Sequence, residues 1–392
     1  MKKIFIIAGE ASGDLLGSKL IKELKTLCPD SVFMGVGGKL MEEQGLVSIF
    51  PMNDLSVMGF AEVLPHLPKL IKRINQTAEK INQERPDCVV TIDSPDFCFR
   101  VVKKISGDFK KVHLIAPSVW AYREGRAKKI SKLYDLLLCI LPFEPPYFEK
   151  HGLKTVFIGH PLLENSSTSG WQKTSKSDLL VALTPGSRSS EVKKIFPEFI
   201  GAINLLAPKF PNLRVAIPVV DKTRDLVAQM ALNLKVPYSF YEQSQKKEMF
   251  LEVDFALTKS GTNTLEFSLH RIPIIVAYKI NWLSYFVAKA LIKIKFANLL
   301  NLIVNREIIP EMLQLNCDSQ RIAKVLEKMI DDKNIAQKQI DETQAALKLM
   351  GLGSLDNPSQ KAAKEIINSA CSKNMESGSC QAAPDSKEIK AF

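Results

Sequence analysis

Two runs in the first half of the chain place carboxylates where apolar segments end. Gly9-Glu10-Ala11-Ser12-Gly13-Asp14 follows the strand-like run Ile4 to Ala8 and leads into a helical pattern. Its glycines permit a tight turn whose amides face a ligand, and Asp14 suits the dipole of the helix start. Glu10 has no packing reason to stand at the exit of an apolar strand. Ser12, on the same turn, offers a hydroxyl. In Thr91-Ile92-Asp93-Ser94-Pro95-Asp96-Phe97, Asp93 follows the buried-type strand Cys88 to Ile92, and Pro95 is expected to force the backbone away from helix. A carboxylate held there can act as general base on an attacking hydroxyl. The plainer alternative is an Asx-type turn built on Asp93 or Asp96.

The second half carries runs suited to phosphate. Leu183-Thr184-Pro185-Gly186-Ser187-Arg188-Ser189-Ser190-Glu191 sets glycine, serine and arginine between a strand and a helix. Backbone amides, the helix dipole and the Arg188 guanidinium can there share a diphosphate. The run lacks the GK[ST] ending of a P-loop, which disfavours ATP hydrolysis. Thr258-Lys259-Ser260-Gly261-Thr262-Asn263-Thr264-Leu265-Glu266 repeats the design at another strand exit. Asn263 and Glu266 have the spacing of a capping box, and Glu266 could equally bind a ribose diol.

Several features point away from other chemistry. Gly35-Val36-Gly37-Gly38 is not GxGxxG and no acidic residue ends a following strand, so a nicotinamide cofactor is not expected. The five histidines show neither HxH nor HxxxH spacing, His160 before Pro161 reads as a turn residue, and no metal site is expected.

Two segments suggest a surface for anions or lipid. A strand exit at Ala116-Pro117-Ser118-Val119-Trp120-Ala121-Tyr122-Arg123 opens the most basic window of the chain, residues 100–133, with ten basic and two acidic residues. A solvated helix face explains most basic runs, but the neighbouring aromatics suit an anionic head group. Phe60 to Ile74 combines Phe60, Val63, Leu64, Leu67, Leu70, Ile71 and Ile74 with Lys69, Lys72 and Arg73. A core-facing helix competes here with interfacial docking, because Pro65 and Pro68 should disturb an ordinary core helix.

The elements that must position these residues follow the rhythm of parallel sheets. Strands are expected at residues 4–8, 31–36, 88–92, 112–116, 136–140 and 155–158, then at 178–184, 213–218, 253–258 and 273–277, alternating with helices or loops. Between Glu164 and Ser177 the composition turns to that of a linker. This divides the chain into an N-terminal domain at 1–168, a C-terminal domain at 176–350, a helix at 351–371 and a disordered tail at 372–392. Ligands of such sheets sit beyond the carboxyl ends of the strands, so two domains can face their exits across one cleft.

The 392 residues give ample interior for two cores, and 53 basic against 42 acidic residues leave a formal charge of +11, which favours phosphate-bearing or anionic-lipid partners. Seven cysteines, none spaced CxxC, signal neither a disulfide framework nor a zinc site and fit a reducing cytoplasm. The apolar core of the N-terminus is too short for a signal peptide. The apolar stretch from Trp282 to Val304 is interrupted by Lys289, Lys293 and Lys295, which reads as soluble or interfacial.

Taken together, the motifs resemble the lipid-A-disaccharide synthase family of glycosyltransferases. The resemblance rests on residues 9–14, 35–38, 55–60, 93–97, 117–120, 141–144, 159–161, 185–188 and 260–266, with Asn301, Arg306 and Glu307, and covers residues 1 to about 350. It implies a GT-B fold: two Rossmann-like doubly wound parallel-sheet domains facing an interdomain cleft, with a helical C-terminus. It implies an inverting transfer of 2,3-diacylglucosamine from its UDP donor to 2,3-diacylglucosamine 1-phosphate, giving a β-1,6 disaccharide 1-phosphate and UDP. No cofactor or metal is implied.

Asp93 is then the first choice for the base, with Glu10 the second and Arg188 beside the departing diphosphate. Gly186, Ser187, Ser260, Gly261, Thr262, Thr264 and Glu266 would hold UDP. Ser12, Ser118, Trp120 and Asn301 would meet the rest of the substrates, while Val63, Leu64, Leu67, Leu70 and Ile71 would meet acyl chains or membrane. The family analogy also suggests peripheral attachment to the cytoplasmic face of the inner membrane and a homodimer. Leu300 stands where the family usually has proline, and Asn305 where glycine is common.

Two other readings differ in what they require. A UDP-sugar epimerase, or a GT-B transferase with a soluble acceptor, would share the UDP wall but has no use for the Phe60 to Ile74 stripe. A non-enzymatic basic protein on nucleic acid or membrane rests on the net charge alone and gives Arg188 no role.

Overall fold

The computed structural model describes residues 2–55, 60–122, 124–164, 179–281, 285 and 294–376; for residues 60–66 and 371–376 it describes the backbone alone. The first sheet contains β1 (Lys3–Ala8), β2 (Val32–Val36), β3 (Leu46–Ser48), β4 (Cys88–Ile92), β5 (Lys110–Leu114), β6 (Leu136–Cys139) and β7 (Lys154–Phe157), ordered β3-β2-β1-β4-β5-β6-β7. The second contains β8 (Leu179–Thr184), β9 (Leu213–Pro218), β10 (Tyr238–Tyr241), β11 (Phe255–Lys259), β12 (Ile274–Tyr278) and β13 (Glu311–Leu313), ordered β10-β9-β8-β11-β12-β13. All strand pairs are parallel.

Parallel sheets need cover on both faces, and the central strands are apolar throughout for that reason. Along β1, Phe5 and Ile7 enter one core cluster while Ile4, Ile6 and Ala8 enter the cluster on the opposite face. In β8, Val181 and Leu183 separate in the same way from Leu180 and Ala182. That alternation is the period of two expected of a pleated strand.

The last helix, Pro358–Glu376, returns to the first sheet. Its Ala362, Ala363 and Ile366 join the cluster of Ile4 and Ile6. Glu164 fastens this return, taking hydrogen bonds from Lys19 Nζ at 2.8 Å and Ser359 Oγ at 3.1 Å. The two crossings of the chain meet where the His160 amide donates to the Met350 carbonyl at 3.0 Å.

Several elements differ from their sequence expectation. The strand expected at 112–116 ends at Leu114, because Ile115 takes φ 76°, which no strand accommodates. α3 (Phe60–Glu84) runs through Pro65 and Pro68, although both were expected to disturb it; each lies toward the N-terminal end and removes one ladder bond. Pro95 opens α4 (Pro95–Val102) as its first residue instead of turning the chain from helix. β3, β10 and β13 were not expected at all. The tail expected from residue 372 begins later, since residues 372–376 continue the last helix; the rest of it, the linker beyond Glu164, and residues 282–284 and 286–293 of the apolar stretch lie outside the described residues.

Candidate active site

At the exit of β4 the backbone departs sharply from ordinary geometry. Asp93 and Ser94 are consecutive non-glycine residues at φ 48° and 43°, and Ile115 at the neighbouring exit of β5 stands at 76°. Left-handed conformations cost such residues on the order of 1–3 kcal/mol each and concentrate at functional sites. The kink brings Ser94 against the end of β1, where a Cβ on Gly9 would lie 2.5 Å from Ser94 Oγ. Gly9 is therefore required by a close approach. Below the kink the Thr91 hydroxyl lies 2.7 Å from His113 Nδ1 and donates to the Tyr134 hydroxyl at 3.0 Å, pinning the strands beneath Asp93. Asp93 itself is half-buried, and that burial lifts its carboxyl above the usual aspartate range.

Glu10 and Ser12 are both exposed on the neighbouring turn. Glu10 takes the N-cap position of α1 (Ala11–Leu27) without making a capping hydrogen bond. Asp14 is turned inward instead. Its carboxylate accepts from the amides of Gly38, Leu40 and Met41 at 2.9–3.1 Å, so it caps the short helix α2 (Lys39–Glu43) and joins it to α1.

Beyond β5 and β6, Trp120 is half-buried and Ser118 exposed. The Trp120 indole donates to Glu144 at 3.2 Å and meets the Phe143 ring edge-on at 5.2 Å. Glu144 is 2% exposed and also accepts from the Ile140 and Leu141 amides at 3.2 and 3.0 Å. Burial raises its carboxyl to about 7. The sequence had not singled out this residue as part of a site. Trp120, Ile140 and Phe143 pack on a cluster that includes Leu265 and Phe267 of the second half. Leu141 and Leu163 of the first half belong to the same cluster, which therefore joins the two halves.

In the second half, Gly186, Ser187, Gly261 and Thr262 line a cavity of about 250 Å³, together with Gln243, Lys246, Lys259 and Asn263. Gly186, at φ 116°, leaves room for the Glu191 carboxylate, which lies 2.5 Å from where a Cβ would stand. Arg188, the residue after Ser187, has its side chain 74% exposed and pairs with Glu191 at 3.2 Å. Ser260 and Thr264 turn their hydroxyls to backbone carbonyls, of Ala297 and Gly261, at 2.7 Å. The capping box expected of Asn263 and Glu266 does not form, because the helix Thr262–Leu269 starts too early and Gly261 is its N-cap. Lys246 holds both side chains instead, at 3.2 Å from Asn263 and 2.6 Å from Glu266.

Asn301 is fully buried, and its amide is taken up within the protein. It donates to Ile309 O and Glu311 Oε1 and accepts from the Ile308 and Ile309 amides, all within 3.0 Å. It shapes the loop beside Ser260 with no hydrogen-bonding position left over. Asn305 adopts φ 51° at the end of helix Leu299–Val304, a conformation asparagine tolerates in place of glycine.

The basic stripe of α3 divides in two. Ile74 is buried and Leu70 is half-buried against the first core, whereas Leu67 and Ile71 are 37% and 45% exposed. Lys69 and Arg73 both bind Asp54, and these contacts hold its carboxyl below the usual range. The side chains of Val63 and Leu64 lie outside the described residues, as does Arg123. Among the described residues no helix is long and apolar enough to cross a membrane.

Comparison with known proteins adds a family model described as lipid-A-disaccharide synthetase, which matches residues 4–366. A lipid-A-disaccharide synthase of Rickettsia canadensis is 42% identical over 378 residues, covering 94% of this chain and 97% of that protein. One from Rhodospirillum centenum is 39% identical over 377 residues, covering 93% and 94%. Among solved structures, a glycotransferase of kitacinnamycin has a TM-score of 0.60 at 12% identity, covering 94% of this chain and 98% of that one. A UDP-GlcNAc 2-epimerase from Neisseria meningitidis bound to UDP-GlcNAc has 0.56 at 13%, covering 95% and 100%. At such low identity these structures bear on the fold alone, which is the two-sheet GT-B arrangement expected from the sequence.

Proposed function

This chain belongs to the lipid-A-disaccharide synthetase family, and from that premise we propose that it transfers 2,3-diacylglucosamine from UDP to 2,3-diacylglucosamine 1-phosphate. The family membership makes it a glycosyltransferase of lipid A biosynthesis. The finer chemistry rests on one observation above the others: a strained, half-buried Asp93 at the carboxyl edge of one sheet and a cation-lined cavity at the carboxyl edge of the other.

In this reading the acceptor 6-hydroxyl attacks C1 of the donor sugar from the face opposite UDP. Asp93 takes the hydroxyl proton as the new C1–O bond forms. The C1–O bond to the diphosphate breaks, and UDP leaves with the electron pair. Arg188 and the N-terminus of helix Ser189–Leu206 offset the charge developing on it. Burial around Asp93 makes its carboxylate a better proton acceptor than an exposed aspartate, consistent with its raised pKa. Glu10, exposed beside it, orients a sugar hydroxyl. Ser12, Ser118 and Trp120 complete the acceptor wall, and Glu266 stands near the ribose.

The exposed Leu67 and Ile71, with Lys72, suit docking on an anionic leaflet, which supports the reading of peripheral attachment to the cytoplasmic face of the inner membrane. An epimerase reading is not favoured, since the likeness to epimerases is confined to the fold. Incubation of the purified protein with the diacyl UDP-sugar and the monosaccharide phosphate, followed by mass detection, tests the proposal. A disaccharide 1-phosphate and UDP in equal amounts are expected; release of free sugar or an epimer without disaccharide would refute it.

A further inference from the structure

Lys259, the last residue of β11, lines the cavity beside Gly261 and Thr262. Its side chain is 21% exposed, against 74% for Arg188, so it is the more enclosed of the two cations at this turn. Both share one counter-ion. Glu191 Oε1 lies 3.2 Å from Lys259 Nζ and 3.2 Å from Arg188 Nη1. One carboxylate between two cations leaves one positive charge in excess, and of the three groups Lys259 lines the cavity. The other lysine of the wall is differently placed, because Lys246 sits 2.6 Å from Glu266 with a carboxylate of its own.

We propose that Lys259 binds the diphosphate of the nucleoside diphosphate donor, and that Glu191 is only the counter-ion the lysine gives up when the cavity fills. This deepens the donor reading above and rests on it. A diphosphate carries at least two negative charges and several acceptor oxygens, so it displaces a single carboxylate as the partner of a compact ammonium. The same interaction strengthens as the C1–O bond breaks and charge gathers on the departing UDP. Lys259 thereby supplies a cation from the cavity wall in addition to Arg188.

Calorimetric titration with UDP and with uridine separates this from a purely structural ion pair. Lys259→Met and Lys259→Gln are each expected to weaken UDP binding tenfold or more while uridine binding changes less than twofold. Glu191→Gln breaks the same ion pair but keeps the cation, and UDP affinity should stay within threefold of the original. Unchanged UDP binding in both lysine variants would overturn the proposal. So would a loss in Glu191→Gln equal to that of the lysine variants, which would assign the pair to turn structure. Failure of the unaltered protein to bind UDP would instead remove the donor reading itself.

Discussion

The two strand-exit regions are built by opposite means. Around Asp93 the backbone is strained, glycine-dependent and backed by apolar core, and the carboxyl is lifted by burial. Around Gly186 and Gly261 the side chains are charged and already paired, with Lys259 and Arg188 on Glu191 and Lys246 on Glu266. The contrast suits the two tasks proposed for them. A base needs an environment in which losing its own charge is favourable, whereas a diphosphate cradle needs cations held ready without collapse of the empty cavity.

If the cationic wall works on the leaving group, Arg188→Ala should lower kcat for disaccharide formation by about 10²–10³, the range typical of losing one transition-state donor. Thermal stability should hardly change, because the side chain is exposed. A steady-state assay with a melting curve on the same sample checks both.

The strained wall should respond in stability instead. Gly9→Ala would press a methyl group onto Ser94, and a loss of roughly 1–3 kcal/mol is expected in denaturant unfolding.

Glu144 sharpens the comparison through pH. Burial raises its carboxyl to about 7 in the folded state, against about 4.5 for an ordinary glutamate, so the folded form holds the proton where the unfolded form has released it. Its contribution should therefore be fully present below about pH 4.5 and lost as pH rises toward 7, on the order of 3 kcal/mol. Glu144→Gln should remove that slope from unfolding measured across this range.

The smallest effect is expected on the outer surface. Leu67→Ser with Ile71→Ser should reduce binding to anionic phospholipid vesicles several-fold without a shift in melting temperature. Retained vesicle binding would move the membrane face elsewhere.

How far these regions were legible in the sequence follows from the same physics. Doubly covered parallel strands are apolar on both faces, so β1, β4 and β8 stand out by composition. β3, β10 and β13 are short and only partly buried, and their residues carry no comparable signal. The glycine and hydroxyl turns were visible because few other residues fit strand-to-helix turns. Lys259 stood inside one of those runs, yet lysines are usually solvated and its place in a cavity wall comes only with the fold. Glu144 gains its character from Trp120 and two backbone amides brought to it by tertiary packing. Asn301 looked like a ligand residue, but its amide holds a loop, a distinction that depends on where each hydrogen bond goes.

Asp93 is proposed as the proton acceptor for a transfer whose diphosphate leaving group is held by the second half of the molecule. The most direct test is to measure, on one preparation of Asp93→Ala, the dissociation constant for UDP and the rate of disaccharide formation. UDP affinity within twofold of the unaltered enzyme and a transfer rate lower by at least about a hundredfold are predicted. Near-normal transfer by a folded Asp93→Ala enzyme would contradict the assignment.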